Sequence, residues 1–360
     1  MNKKVYTVIV GTGSYIPGRI IPNDFFLNAE FYDPATNKKF ETPNSEIIRK
    51  FCEITNIEER RYAESDQVTS DLATYAARDA IETSGIDPET FEFILVAHNF
   101  GDVVQGILVP DQMPALANRV KAKLGINNPS VLTNDVTSGC PGWTTAMIIA
   151  DAYIKSGTFK RGLVIGADVL SRVADPYDRD RMIFSDGAGA VIVEALESET
   201  PVGILSHASR SDYDQNMLVM GISANPDNPK GYKYLRMLGS KVYAYALSTV
   251  PGVVKESLDK AGLTLTDISK VLIHQANEKM DEAILSRVFR LYGRRDYDKN
   301  IMPMTIQKFG NSSTATVPTL LDLVLKDKME DHQISKGDTI ILTSVGAGMT
   351  INSIVYKMPE

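Results

Sequence analysis

The stretch that decides the reading of this chain is Thr137-Ser138-Gly139-Cys140-Pro141-Gly142-Trp143-Thr144-Thr145-Ala146. A valine-rich approach (Val131, Leu132, Val136) runs into Ser-Gly-Cys-Pro-Gly. Beyond it Ala146, Met147, Ile149, Ala150 and Tyr153 recur at helical spacing. Cys140 is therefore expected where a strand ends and a helix begins. Helix N-termini carry partial positive charge and unpaired N–H groups, which favour thiolate over thiol. A cysteine placed there is expected to have its pKa lowered into a reactive range. Pro141 suits a first helical turn, where no N–H is needed. The alternative is a small buried core cysteine, a common fate of a free thiol.

Working outward, the chain has 360 residues, 43% of them hydrophobic, enough for one large domain or two ordinary ones. A net charge of -7 argues against a general nucleic-acid binder. Two cysteines, Cys52 and Cys140, form no disulfide framework, and a cytoplasmic protein is expected. Cys52 sits in an apolar helical stretch and reads as structural. No apolar run is long enough to span a membrane. The first residues lead straight into a strand without a signal-peptide core. His98, His207, His274 and His332 are scattered, so no metal site is expected. Gly11-Thr12-Gly13 follows the opening strand, but Ile16 stands where a dinucleotide fingerprint needs glycine. Residues 28–46 are polar and turn-rich and read as a surface excursion.

An internal repeat gives the architecture. A helix to Ser84-Gly85 and the strand Phe93–Ala97 match a helix to Ala261-Gly262 and the strand Val271–His274. The same interval separates Gly85 from Gly262 and Ile94 from Val271. Gly162–Gly166 matches Asp338–Leu342, and Gly187–Val193 matches Gly346–Ile351. The opening strand has its counterpart at Val202–Ser206. Two similar strand–helix units are thus expected over residues 1–198 and 199–360. Strands this apolar must be covered on both faces by helices. Cys140 and Asn311 fall at equivalent places, and His274 falls at a strand end. In a pseudo-twofold structure such loops meet at the axis, so the three converge on one cavity.

These motifs resemble a known family. Gly139-Cys140-Pro141-Gly142, His274-Gln275-Ala276-Asn277 and Phe309-Gly310-Asn311-Ser312-Ser313 look like the Cys–His–Asn triad of β-ketoacyl-acyl carrier protein synthase III. Gly11–Pro17, Ile57–Arg60, Gly166–Leu170 and Ser185–Ala190 also match, so the likeness spans essentially the whole chain. The resemblance implies a thiolase-like five-layered αβαβα fold with two similar halves about a pseudo-twofold axis. It implies that Cys140 carries an acyl group as a thioester. Backbone N–H groups of Cys140 and Gly348 would hold the oxyanion. His274 and Asn311 would bond the thioester carbonyl of a malonyl-acyl carrier protein while CO2 departs. No cofactor is implied, since the phosphopantetheine arm arrives with the substrate. A homodimer is implied, with Val103–Met113 lining the acyl pocket across the interface.

The docking face of the acyl carrier protein follows from helical geometry. With Lys279 at zero, Arg290, Arg294 and Arg287 fall at about 20°, 60° and 80°, opposite Ile284, Val288 and Leu291. An ordinary solvated helix face is the plain alternative.

The chain also departs from the family. Lys50 and Ile54 stand where the family has a Trp and an Arg that clamp the adenine of CoA. Trp143 lies beside the nucleophile instead, and with Arg179, which matches a CoA-contacting arginine, it is assigned to substrate binding. Ile351-Asn352 replaces a Trp-Gly pair. A primer other than acetyl-CoA is therefore expected, either a longer acyl-CoA or a carrier-bound acyl group, in fatty acid, polyketide or alkyl-aromatic lipid synthesis. The competing readings are an acyltransferase passing the acyl group to an alcohol or amine, which has less use for Asn311, and a non-catalytic acyl- or carrier-binding partner.

Overall fold

Alternating side-chain directions along each apolar strand decide the layering. The computed structural model describes residues 3–213, 217–228 and 231–360. The first half runs β1 (Lys4–Tyr15), β2 (Arg19–Pro22), α1 (Asn44–Thr55), β3 (Glu59–Tyr62), α2 (Thr69–Ser84), β4 (Phe93–His98), α3 (Leu116–Leu124), β5 (Leu132–Thr137), α4 (Gly142–Lys155), β6 (Arg161–Val169) and β7 (Asp186–Ser198). The second runs β8 (Gly203–Ser211), β9 (Leu218–Gly221), β10 (Tyr234–Met237), α5 (Gly239–Ala261), β11 (Lys270–Ile273), α6 (Glu278–Leu291), α7 (Ile306–Phe309), α8 (Thr316–Leu325), β12 (Thr339–Gly346) and β13 (Thr350–Lys357).

Two mixed sheets result, ordered β1-β7-β6-β4-β5 and β11-β12-β13-β8. Read from β1 and from β8, they run through the same sequence of parallel and antiparallel pairings. Among the described residues the second sheet has no counterpart of β5: residues 302–305, which approach Asn311, join no ladder. Gly85 and Gly262 close α2 and α5 with nearly the same left-handed geometry, φ 68° and 69°.

The layers follow from which strand face meets which helix. Phe93, Leu95 and Ala97 of β4 pack inward with α4 and α8, and there meet Leu272, Ile340 and Leu342 of the other sheet. Ile94 and Val96 point outward onto α2 and α3. On the other sheet Val271, Ile273 and Ile341 point outward onto α5 and α6. The order is helix, sheet, helix, sheet, helix. Gly11-Thr12-Gly13 does not follow the opening strand but lies within β1, paired with β7, and serves this packing: a Cβ on Gly13 would lie 2.3 Å from the Ala76 carbonyl oxygen of α2. No helix among the described residues is long and apolar enough to cross a membrane.

The excursion at 28–46 differs from its expectation. Polar composition suggested a solvated loop, but Phe31 is buried with Phe26, Ile47, Tyr62 and Met182, and Phe40 packs against them. Two aromatic anchors outweigh the intervening turn residues and fold the segment onto the body.

Candidate active site

Cys140 lies three residues beyond β5 and two before α4. Its loop is tightly seated. A Cβ on Gly346 would lie 2.8 Å from both the Cβ and the N of Cys140, and one on Gly139 would lie 2.8 Å from Ala347 N. Glycine is thus required for the 346–348 turn to pass this close. Gly348 follows in the same turn at φ 76°, and its carbonyl accepts from the Ser211 hydroxyl at 3.2 Å. Among the described residues the backbone N–H of Cys140 faces its own sulfur and donates to no other residue, which leaves it available to a developing oxyanion on a group bound there.

The thiol differs from the sequence expectation. Cys140 keeps part of its surface accessible, yet burial of its sulfur pushes the thiol up to about 12, and Ser313 is the side chain that opposes this. Desolvation disfavours the thiolate in the empty site. The start of α4 supplies N–H groups nearby but does not by itself bring the thiol into a reactive range.

Asn311 reaches the site from the other half. Its backbone N–H donates to Ile183 O at 2.9 Å, and its carbonyl accepts from Ser185 N at 2.8 Å. Its Oδ1 accepts from Ser313 N at 2.8 Å. This orients the amide and leaves Nδ2 without a hydrogen bond among the described residues. Beneath it, Arg60 of β3 is buried, donating to Met182 O, Ile21 O and Asn23 Oδ1. A Cβ on Gly310 would strike the Arg60 side chain at 2.9 Å. The Ile57–Arg60 motif therefore supports the Asn311 turn.

His274 follows β11 and is 1% exposed. Its backbone N–H donates to Thr343 O at 2.9 Å, but neither ring nitrogen has a partner among the described residues. Burial lowers it to about 4, so the ring is neutral at physiological pH. A buried imidazole with two unpaired nitrogens is costly unless a ligand completes it. The rest of the motif is scaffolding that sequence reasoning left unassigned. Gln275 donates to Pro303 O and accepts from Thr305 N, pinning the approach to Asn311. Asn277 caps α6 by accepting from Met280 N at 3.0 Å.

Ser313 is the group that sequence reasoning missed. Its hydroxyl donates to Cys140 Sγ at 3.4 Å and accepts from Asn99 Nδ2 at 2.8 Å. Asn99 in turn donates through N and Nδ2 to Asp168. The signal lay in the Ser312-Ser313 and Gly166–Leu170 matches, which carried the resemblance without a stated role.

The remaining assignments separate. Trp143 is a correction: it is 1% exposed, packed with Ala146, Met147, Val317 and Leu320 between the sheets, and belongs to the core rather than to substrate binding. Its large apolar ring outweighed its nearness in sequence to Cys140. Arg179 does border a cavity of about 620 Å³ with Phe40, Lys50, Ile54, Ala276 and Asn277, and its guanidinium lies 4.9 Å over the Phe40 ring. Lys279, Arg287 and Arg290 are exposed on α6. Arg287 and Arg290 have no salt-bridge or hydrogen-bond partner among the described residues, while Lys279 donates to Glu53 O. Arg294, also exposed, lies beyond the helix: Gly293 turns the chain at φ 72°, and Arg294 N bonds back to Phe289 O. Its helical projection does not apply. Leu291, expected on the apolar side, is 48% exposed in the last turn.

The comparisons agree with this geometry. Residues 134–212 match the 3-oxoacyl-[acyl-carrier-protein] synthase III family, and residues 258–358 match its C-terminal domain. The β-ketoacyl-[acyl-carrier-protein] synthase III 1 of Vibrio vulnificus is 33% identical over 354 residues, 98% of this chain and all of the relative. The crystal structure of 3-oxoacyl-[acyl-carrier-protein] synthase III from Aquifex aeolicus superposes with a TM-score of 0.78 at 30% identity, covering 98% of this chain and 99% of that one. A priming β-ketosynthase of a polyketide biosynthetic pathway gives 0.80 at 25% identity, covering 100% and 98%. The fold is that of a thiolase-like condensing enzyme. The chain belongs to the 3-oxoacyl-[acyl-carrier-protein] synthase III family.

Proposed function

We propose that Cys140 takes an acyl group from a thioester and that the acyl-enzyme condenses with malonyl-acyl carrier protein to give a β-ketoacyl product. The Cys140 thiolate adds to the thioester carbonyl and expels the carrier thiolate, which takes up the proton Cys140 gave up. The malonyl thioester then loses CO2, and its carbonyl oxygen gains charge as an enolate. His274 and Asn311 are the donors for that oxygen. The enolate carbon attacks the acyl-cysteine carbonyl, the C–S bond breaks, and the thiolate returns. Burial makes both donors effective because they need no reorganisation.

One observation carries this reading above the others: the fully buried, neutral His274, with no partner on either ring nitrogen among the described residues, in a chain whose Asn311 amide nitrogen is likewise without one there. A site meant for simple acyl transfer has no evident use for two such fixed donors. No cofactor takes part in this scheme beyond the arm of the incoming substrate. The cavity bounded by Phe40, Ile54 and Arg179 would admit that arm, and Lys279, Arg287 and Arg290, with Arg294 just past the helix, would receive the acidic carrier protein. Val104, Ile107, Val109 and Met113 are exposed on one loop, which supports a homodimer buried across it. Fatty acid or polyketide-type synthesis in the cytoplasm is the setting proposed.

The test is intact-protein mass spectrometry with a panel of acyl-CoA and acyl-carrier thioesters, followed by malonyl-carrier protein. One acyl group should load on wild type and discharge as a β-ketoacyl product. Loading without discharge by malonyl-carrier would favour the acyltransferase alternative and contradict the condensing assignment.

A further inference from the structure

Something must favour the Cys140 thiolate against burial, and among the described residues no cation acts on the sulfur. The charged group acting on it is Asp168, at the end of β6, which opposes a thiolate. His274, beyond β11, is held neutral by burial, and His98, at the end of β4, faces Asp168 and bonds Asp135 at 3.1 Å. What touches the sulfur is the Ser313 hydroxyl.

The direction of that bond can be worked out from donors and acceptors alone. Asp168 collects donors: Asn99 N at 2.8 Å, Asn99 Nδ2 at 2.7 Å, Thr314 N at 3.2 Å and Thr314 Oγ1 at 2.8 Å. A carboxylate accepts, so the Asn99 atom facing it must be the amide nitrogen rather than the oxygen. That nitrogen has two protons, and its second neighbour is Ser313 Oγ at 2.8 Å. The Ser313 oxygen is thereby committed to accepting from Asn99. Its single proton is left for Cys140 Sγ at 3.4 Å. His98 holds the start of the same loop, accepting from Gly101 N at 2.9 Å through Nδ1. Ser313 adopts φ 56°, a rare conformation for a residue with a Cβ, and it does so where its hydroxyl meets the sulfur.

We propose that Ser313 is a positioning residue for the nucleophile: it donates a standing hydrogen bond to the Cys140 sulfur, and Asn99 and Asp168 fix the direction of its proton. Ser313 keeps its proton throughout; the thiol proton leaves to solvent or to the departing carrier thiol. The inference rests on Cys140 being the nucleophile, and it adds what selects its ionised form.

The test follows alkylation of Cys140 by iodoacetamide with intact mass over about pH 5 to 10, in a Cys52→Ser background that leaves one thiol. Ser313→Gly removes the hydroxyl yet suits the positive φ, so the fold is kept, as thermal unfolding will check. Its alkylation should shift to higher pH, with the rate at neutral pH down about tenfold. Asn99→Leu should shift it the same way by less. A Ser313→Gly profile that superimposes on wild type overturns the proposal. The two readings fail separately. If wild type loads and condenses acyl groups while the profile does not move, only the Ser313 role is lost. If no acyl group loads but the profile moves, the relay stands and the condensing function is what falls.

Discussion

The two central helices, α4 and α8, are the same device used twice, and their differences locate the chemistry. Each carries a buried aspartate with a lysine one turn later: Asp151 with Lys155 at 2.8 Å, and Asp322 with Lys326 at 2.8 Å. The interval between the two aspartates equals that between Cys140 and Asn311. Lys155 reaches across to Ile204 O of β8, while Asp322 accepts from Thr12 and Ser14 of β1, the strand that matches β8. The scaffold is thus common. The entrances are not. On the first side a paired strand, β5, delivers Cys140 almost directly to the start of α4. On the second an unpaired segment, tied by Gln275, delivers Asn311, and a turn through Ser313 intervenes before α8. In the proposed scheme one half presents the nucleophile, and the other presents neutral donors together with the hydroxyl that touches it. The two halves share a frame and differ in the loops that enter it.

Substitutions at the two entrances should break this comparison in graded ways. The largest effect is expected from Cys140→Ala, which should lower acyl loading by at least about 10⁴-fold, read as loss of the acyl mass shift. Next comes the pH response of His274. Its folded value, about 4, lies below that of an exposed histidine near 6.5. Its share of stability is therefore complete above about pH 6.5 and is lost as pH falls towards 4, because the unfolded chain takes up the proton first. It amounts to at most on the order of 3 kcal/mol. Chemical denaturation at pH 7 and at pH 4.5 should show a smaller acid loss in His274→Gln than in wild type.

Asn352 sharpens the comparison, because it ties one half to the other. Its Nδ2 donates to Thr145 Oγ1 at 2.8 Å and lies 3.3 Å from Thr144 Oγ1, both in the first turn of α4. Asn352→Val should cost up to about 1.5 kcal/mol in denaturant unfolding, since it removes the amide donor while both hydroxyls keep their bonds to Pro141 O. Smallest should be Arg287→Glu and Arg290→Glu. These should raise the KM for malonyl-carrier protein by roughly tenfold and flatten its salt dependence, with loading from acyl-CoA unaltered.

Much of this was legible in the chain itself. Gly85 and Gly262, the matched strands, and the Cys140, His274 and Asn311 motifs carry local signals of turn, period and spacing, and local signals survive folding. Less legible were properties created by three-dimensional surroundings. The Cys140 thiol is governed by burial, which the helix-start argument omitted. Trp143 sits three residues from Cys140 in sequence, yet a helix turns it into the core. Arg294 lies past the end of α6 at Leu291, where Gly293 turns the chain, so the helical period does not place it. Ser313, Asn99 and Asp168 come from three separate segments, and only their meeting gives them a role.

The central claim is that the halves divide loading from decarboxylation. The most direct measurement follows both steps in one experiment: acyl mass on the enzyme, and CO2 released from malonyl-carrier protein, for wild type, Cys140→Ala and His274→Ala. His274→Ala should load its acyl group close to the wild-type rate and release CO2 about 10²–10³-fold more slowly. Cys140→Ala should load nothing and still release CO2. Loss of loading in His274→Ala, with its fold intact and decarboxylation preserved, would contradict the division of labour.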